Sequence, residues 1–248
     1  MKHCAGVILL HGKWDVHPYR CSSLADHLTE HGYQVRMPDL PWSLKRRYDV
    51  PMDSALKEIS AHIADLRSAA CNPIALVGHS IGGAAVLAHW AQRETHKQPD
   101  AIVVVAPGHF PDELFVNGVT GQSLESAANA VFNDHTERRR LLDSNQGHAR
   151  SLKIVPSCYL SYFSPNGPTN WRTNAAVIRI PLPVLWISEA VSRHRRHTQA
   201  DALYLNLPPH TASRHLVVDG DHQDLPNISA SAISGWLSTL RNAKWVQQ

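Results

Sequence analysis

Gly78-His79-Ser80-Ile81-Gly82 holds the residue of this sequence best suited to covalent chemistry, a serine in a G-x-S-x-G pentapeptide. The apolar run Ile74-Ala75-Leu76-Val77 precedes it, and an amphipathic stretch, Gly83 to Gln92, follows. That order spells strand, sharp turn and helix, the setting of a nucleophile elbow. The turn needs glycine on both sides of the serine because its backbone is strained and neighbouring chains approach closely. Ser80 then stands above a sheet edge at the positive end of a helix, where an oxyanion is favoured. The bland alternative is a tight turn whose serine only caps the helix.

A serine hydroxyl is a poor nucleophile at neutral pH until a base takes its proton. With 17 histidines in the chain, only position discriminates among them. His222, in Val218-Asp219-Gly220-Asp221-His222, falls on the loop between the last strand and the last helix. A base there meets Ser80 at the carboxyl edge of the sheet, where open α/β sheets place their sites. Asp219 and Asp221 flank His222, but neighbours on so tight a loop rarely reach the ring nitrogen from the required side. An oxyanion needs two fixed N–H donors. Ile81 supplies one, and the loop His11-Gly12-Lys13-Trp14 the other, with Lys13 the choice and Trp14 the near alternative.

These groups need a scaffold, and the chain alternates strand-like runs with helix-period segments. Val7 to Leu10, Tyr33 to Met37, Ile74 to Val77, Ala101 to Ala106, Pro183 to Ile187 and His215 to Val218 read as strands. Between them, Cys21, Leu24, Ala25 and Leu28 keep helical spacing, as do Leu56, Ile59, Ile63 and Leu66. A last helix, Ile228 to Leu240, is set to pack Ile228, Ala232, Ile233, Trp236, Leu237 and Leu240 onto the sheet. The pattern predicts an α/β fold: a mostly parallel, doubly wound sheet of about six strands. All of 1–248 reads as one domain, with 108–181 inserted as a helical cap, since a structureless loop of that length is improbable. The cap holds a predicted helix, Ser123 to Leu142, and an aromatic loop, Cys158 to Phe163.

Composition narrows the class. At 248 residues, 43% hydrophobic and with net charge +3, the chain is an ordinary globular protein with no nucleic-acid signature. The basic clusters Lys45-Arg46-Arg47, Arg138-Arg139-Arg140 and Arg193 to His197 read as solvated loops and helix ends. Cys4, Cys21, Cys71 and Cys158 are widely spaced and read as reduced, packed thiols. Ala5 to Leu10 is too short to span a membrane and lacks a cleavage site, so the default is a cytoplasmic protein. No metal-ligand spacing, G-x-G-x-x-G or Walker pattern is present, so no cofactor is implied.

The His-Gly turn after the first strand, GHSIGG, and the late DGDH, in that order, resemble the α/β-hydrolase superfamily over essentially the whole chain. Met37 to Ser43 with Arg47-Tyr48-Asp49, and Ala106 to Pro111, look like stretches of poorly characterised bacterial members. The resemblance implies a Ser-His-acid triad hydrolysing an ester or related acyl bond, and a chain without the family's N-terminal hairpin. It places the acid on the loop after Val184 to Ile187, which here reads Ser188-Glu189-Ala190-Val191-Ser192-Arg193, with serine near the usual Asp position. Glu189 is the only carboxylate there and is the acid chosen; Asp112, Glu113, Asp201 or no acid at all are the alternatives. The expected substrate is a small or medium carboxylic ester with an apolar part facing Tyr159, Tyr162, Phe163 and Trp171. Thioesterase, amidase or acyltransferase chemistry would use the same machinery. A weakened, hydrolase-like binding protein is the reading from another class. Small-molecule substrates, no nucleic acid and a monomer or homodimer complete the expectation.

Overall fold

Side chains of strand β1 (Cys4–Leu10) point alternately to two cores: Val7 and Leu9 into one, Ile8 and Leu10 into the other. The same two-residue period runs through β3 (Cys71–His79), β4 (Ala101–Val105) and β7 (Val184–Glu189), so both faces of the sheet are covered. With β2 (Tyr33–Arg36) and β8 (Arg214–Val218) they form one parallel six-stranded sheet in the order β2-β1-β3-β4-β7-β8. The computed structural model describes residues 4–92, 98–190 and 198–242. The basic cluster Arg193 to His197 and the Val191-Ser192-Arg193 stretch lie outside them.

Helix α1 (Ser22–Glu30) buries Leu24, Ala25 and Leu28 on one face of the sheet, beside α10 (Ala230–Asn242) with Ile233, Trp236, Leu237 and Leu240. The opposite face takes α2 (Met52–Ser68) and α3 (Ile81–Gln92). Two expectations for these helices change. Helix α3 is buried all round from Ile81 to Trp90 rather than amphipathic, because α2 and α7 (Trp171–Val177) pack over it. The last helical segment breaks at Ser229 into α9 (Leu225–Ile228) and α10, which leaves Ile228 and Ala232 exposed.

Between β4 and β7 the chain forms α4 (Pro111–Val116), α5 (Gly121–Phe132), β5 (Arg139–Asn145), β6 (His148–Ile154), α6 (Pro156–Phe163) and α7. The predicted helix Ser123 to Leu142 therefore ends ten residues early, and an antiparallel hairpin replaces its second half. Leu141 and Asp143 on β5 and Leu152 and Ile154 on β6 alternate inward, a period of two that a helix reading cannot hold. The turn is Gln146-Gly147, both with positive φ (51° and 80°), the requirement of a two-residue hairpin loop. Arg139 and Arg140 begin β5 instead of ending a helix. The aromatic loop is helix α6, opened by Pro156 and burying Tyr159, Tyr162 and Phe163 on its inner side. Helix α8 (Thr198–Leu205), between β7 and β8, is an element that no helical spacing in the sequence announces.

The cysteine expectation also changes. Cys4 and Cys71 face each other in register on β1 and β3, Cα atoms 4.4 Å apart, and form a disulfide. Cys21 and Cys158 are free and buried. Among the described residues no helix is long and apolar enough to cross a membrane.

Candidate active site

Ser80 occupies the single residue between β3 and α3, with φ +56°, a strained value for a side-chain-bearing residue. Its N–H donates to the Val105 carbonyl at 3.0 Å, which ties the turn to the end of β4. Glycine is needed at position 82 because a Cβ there would run into the Leu10 carbonyl. The start of α3 is thereby drawn against the end of β1, and the loop that follows β1 comes alongside Ser80. The hydroxyl is nearly buried, at 5% residue exposure.

His222 lies on the loop from β8 to α9. Its Nδ1 donates to Glu189 Oε1 at 2.7 Å, both side chains being 8% exposed. Glu189 is the last residue of β7, in register with Val218 at the end of β8, so adjacent strand ends deliver the carboxylate and the histidine loop together. A proton held on Nδ1 leaves Nε2 as the basic nitrogen of a neutral ring. His79, next to Ser80, donates from Nε2 to the His222 carbonyl at 2.9 Å and so pins that loop to the serine turn. Burial pushes His79 down to about 3, with the neighbouring His222 acting in the same direction, so it stays neutral. A Cβ added at Gly108 would lie 2.5 Å from Ser80 Oγ and 3.2 Å from His222 Cε1. Hydroxyl and imidazole therefore border one point in space, directly over the loop after β4.

Two of the other candidate carboxylates, Asp112 and Asp201, have partners elsewhere. Asp112 pairs with Arg172 Nε at 3.4 Å, and Asp201 meets Ser188 Oγ and His215. Glu113 stands on a wall of the Ser80 cleft beside Phe110 and Leu114. Asp219 and Asp221 are exposed.

Trp14 N–H donates to the Trp42 carbonyl at 2.9 Å, which removes it as an oxyanion donor. The backbone N–H groups of Lys13 and Ile81 meet no acceptor among the described residues. What the sequence did not reveal is the Lys13 side chain. Its Nζ donates to Asp143 Oδ1 (2.8 Å) and to the Ser144 carbonyl (2.9 Å), while Trp14 Nε1 (2.6 Å) and Tyr48 OH (2.7 Å) donate to Asp143 Oδ2. Burial pulls the Lys13 ammonium below its usual value, and Asp143 opposes this. The hairpin is thus locked onto the loop after β1, and Asn145 Nδ2 adds a bond to the Lys13 carbonyl at 3.1 Å.

Two recesses meet at Ser80 beneath the hairpin tip. One is lined by Phe110, Leu114 and Gly147; the other by Trp14, Arg20, Arg150 and His222. The four rings expected to line the cleft do not. Tyr159, Tyr162, Phe163 and Trp171 are at most 1% exposed, because α6 and α7 turn them into the core. Trp171 still serves the site, donating Nε1–H to the carbonyls of Gly108 (3.2 Å) and His109 (3.1 Å) and so holding the loop over Ser80. Among the described residues no group of three or more histidines, cysteines or acids is placed to hold a metal ion.

A model of the Alpha/beta hydrolase family matches residues 7–234. Among solved structures, the chain is similar to a highly thermostable carboxyl esterase from Bacillus coagulans, with 12% identity and TM-score 0.69, covering 96% of this chain and 91% of that one. A soluble variant of monoglyceride lipase from Saccharomyces cerevisiae gives 12% identity and TM-score 0.66, covering 96% and 88%. A thioesterase domain from the curacin biosynthetic pathway gives 18% identity and TM-score 0.57, covering 95% and 91%. At these identities the likeness speaks for the fold alone. A search of curated proteins finds no match.

Proposed function

Because the chain belongs to the alpha/beta hydrolase family, we propose that it is a serine hydrolase cleaving a small or medium carboxylic ester through Ser80, His222 and Glu189. One observation carries this reading: a serine on a strained turn and an imidazole whose Nδ1 is bonded at 2.7 Å to a buried carboxylate border the same point. His222 Nε2 takes the hydroxyl proton as Ser80 Oγ attacks the carbonyl carbon. Glu189 holds the ring in the required tautomer and stabilises the imidazolium that forms. The Lys13 and Ile81 N–H groups receive the oxyanion at the positive end of α3. His222 then gives its proton to the leaving oxygen, and water, activated by the same nitrogen, releases the acid from Ser80.

The segment between β4 and β7 acts as a cap, its hairpin tip roofing the serine. The ordered Glu189–His222 pair weighs against a merely degraded, non-catalytic relative. An active-site fluorophosphonate tests the reading. It should label the protein rapidly and stoichiometrically at Ser80, and Ser80→Ala and His222→Ala should each abolish 4-nitrophenyl butyrate turnover with the fold retained. Slow labelling, equal in the His222→Ala variant, would refute it.

A further inference from the structure

We infer that the leaving group of the substrate carries an anionic oxygen acid, a carboxylate or phosphate, read by Arg20 and Arg150; this rests on the serine hydrolase reading above. The side of the serine on which the leaving group sits follows from proton transfer, since the oxygen that departs must lie against His222 to receive its proton. His222 lines the recess that also holds Trp14, Arg20 and Arg150, and Ser80 opens into it. The acyl part is left the recess of Phe110 and Leu114.

The arginine recess is built rather than incidental. Arg150 on β6 lies with its guanidinium carbon 4.9 Å from the centre of the Trp14 ring, and that ring is fixed by its own N–H bond to Asp143. Arg20 is held through its backbone, N–H to the Asp15 carboxylate at 3.1 Å and carbonyl from Asn227 Nδ2 at 2.8 Å, so its side chain starts from a fixed root. Asp15, the carboxylate in the same recess, is occupied by the Val16 and Arg20 N–H groups. Among the described residues neither guanidinium is paired with a carboxylate. Two cations directed at the leaving-group side of a nucleophile suit a planar or tetrahedral oxyanion, which guanidinium recognises through paired N–H donors.

Three esters sharing one acyl group test this: 4-nitrophenyl butyrate, and analogues carrying a carboxylate or a phosphonate ortho to the nitro group. Each kcat/KM is normalised to the ester's own hydroxide-catalysed rate. One anionic ester should exceed the neutral one by about tenfold, the factor two partly exposed ion pairs supply. Whichever anion gains more identifies the head group, and rising salt should shrink the gain. The Arg20→Gln, Arg150→Gln double variant should bring the ratio close to one; both side chains are exposed, so the fold does not depend on them. Equal normalised rates for all three esters, still abolished by Ser80→Ala, would overturn the anionic head group and leave the hydrolase reading standing. A preference that survives the double variant would overturn the assignment to these arginines. No turnover of any ester together with no fluorophosphonate labelling would sink the reading beneath it.

Discussion

Asp143→Asn is the most informative single change, because one nearly isosteric substitution removes the charge at the centre of a buried cluster. The carboxylate accepts from Lys13 Nζ, Trp14 Nε1 and Tyr48 OH, and its side chain is wholly buried while that of Lys13 is 3% exposed. An amide has one oxygen for these donors, and its NH2 must face at least one of them. The Lys13 ammonium loses its counter-charge in the interior. Breaking one side of a buried pair costs about 3–5 kcal/mol, a fall in Tm of about 6–20 °C for a chain of this length.

The cost should depend on pH. Burial already depresses the folded-state pKa of Lys13, and Asp143 raises it. Without the carboxylate the folded-state pKa falls further, so over a wider range the unfolded chain binds a proton that the folded chain lacks. Between the variant's and the parent's folded-state pKa, stability rises with pH in the variant and not in the parent; above the parent's both rise alike. The Asn penalty is therefore largest below the variant's folded-state pKa, narrows as pH rises to the parent's, and is constant above it. Urea unfolding at neutral and alkaline pH measures it. Turnover of 4-nitrophenyl butyrate should also fall, by about tenfold or more, as the hairpin tip and the Lys13 N–H lose their mutual hold. Adding Lys13→Met, which keeps the backbone N–H and removes the stranded charge, should recover part of the stability. A penalty below about 1 kcal/mol that is flat with pH would refute the reasoning, since surface pairs behave that way.

Three further outcomes follow from the same geometry. Glu189→Gln should lower kcat at least about 10²-fold with KM little changed, because the charge is needed mainly when imidazolium forms. Asp112→Asn and Asp201→Asn should each cost less than about threefold in steady-state ester assays, since their partners are Arg172 and the Ser188–His215 pair. Gly108→Ala should abolish labelling and turnover without unfolding the chain, its methyl standing 2.5 Å from Ser80 Oγ. Wild-type labelling of that variant, read by mass spectrometry, would mean the loop does not sit over the serine.

The sheet was legible because each central strand is a continuous apolar run and both faces are covered; only the ends were misplaced, by up to three residues. Ser80, His222 and Lys13 could be singled out because strand ends fix where loops emerge, and Glu189 because the family resemblance places the acid on the loop after β7, where it is the only carboxylate. Segment 108–181 was not legible in the same way. Leu141 and Leu142 continue the helical spacing of α5 well enough to hide a change of period, and Asn145-Gln146-Gly147-His148 was the overlooked turn signal. The Cys4–Cys71 bond was hidden for another reason: it depends on the register between β1 and β3, which spacing in sequence does not give.

That asymmetry bears on function. The proposed nucleophile, base, acid and oxyanion donors all hang from the parallel sheet, whose strand ends bring them to one edge. In the proposed reaction the substrate also meets a different part of the molecule, the tip of the β5–β6 hairpin, which is held over Ser80 by the donors to Asp143 and by the Lys13 bonds to Ser144 and Asn145. Lys13 belongs to both systems, its backbone to the loop proposed to hold the oxyanion and its side chain to the hairpin latch. A change in the hairpin can thus alter which ester is accepted while the sheet-borne groups stay in place. A change at Lys13 or Asp143 cannot, because it moves the roof and the oxyanion donor together. Variants of Arg150 should accordingly change the ratio between esters, and variants of Asp143 should lower the rate for all of them.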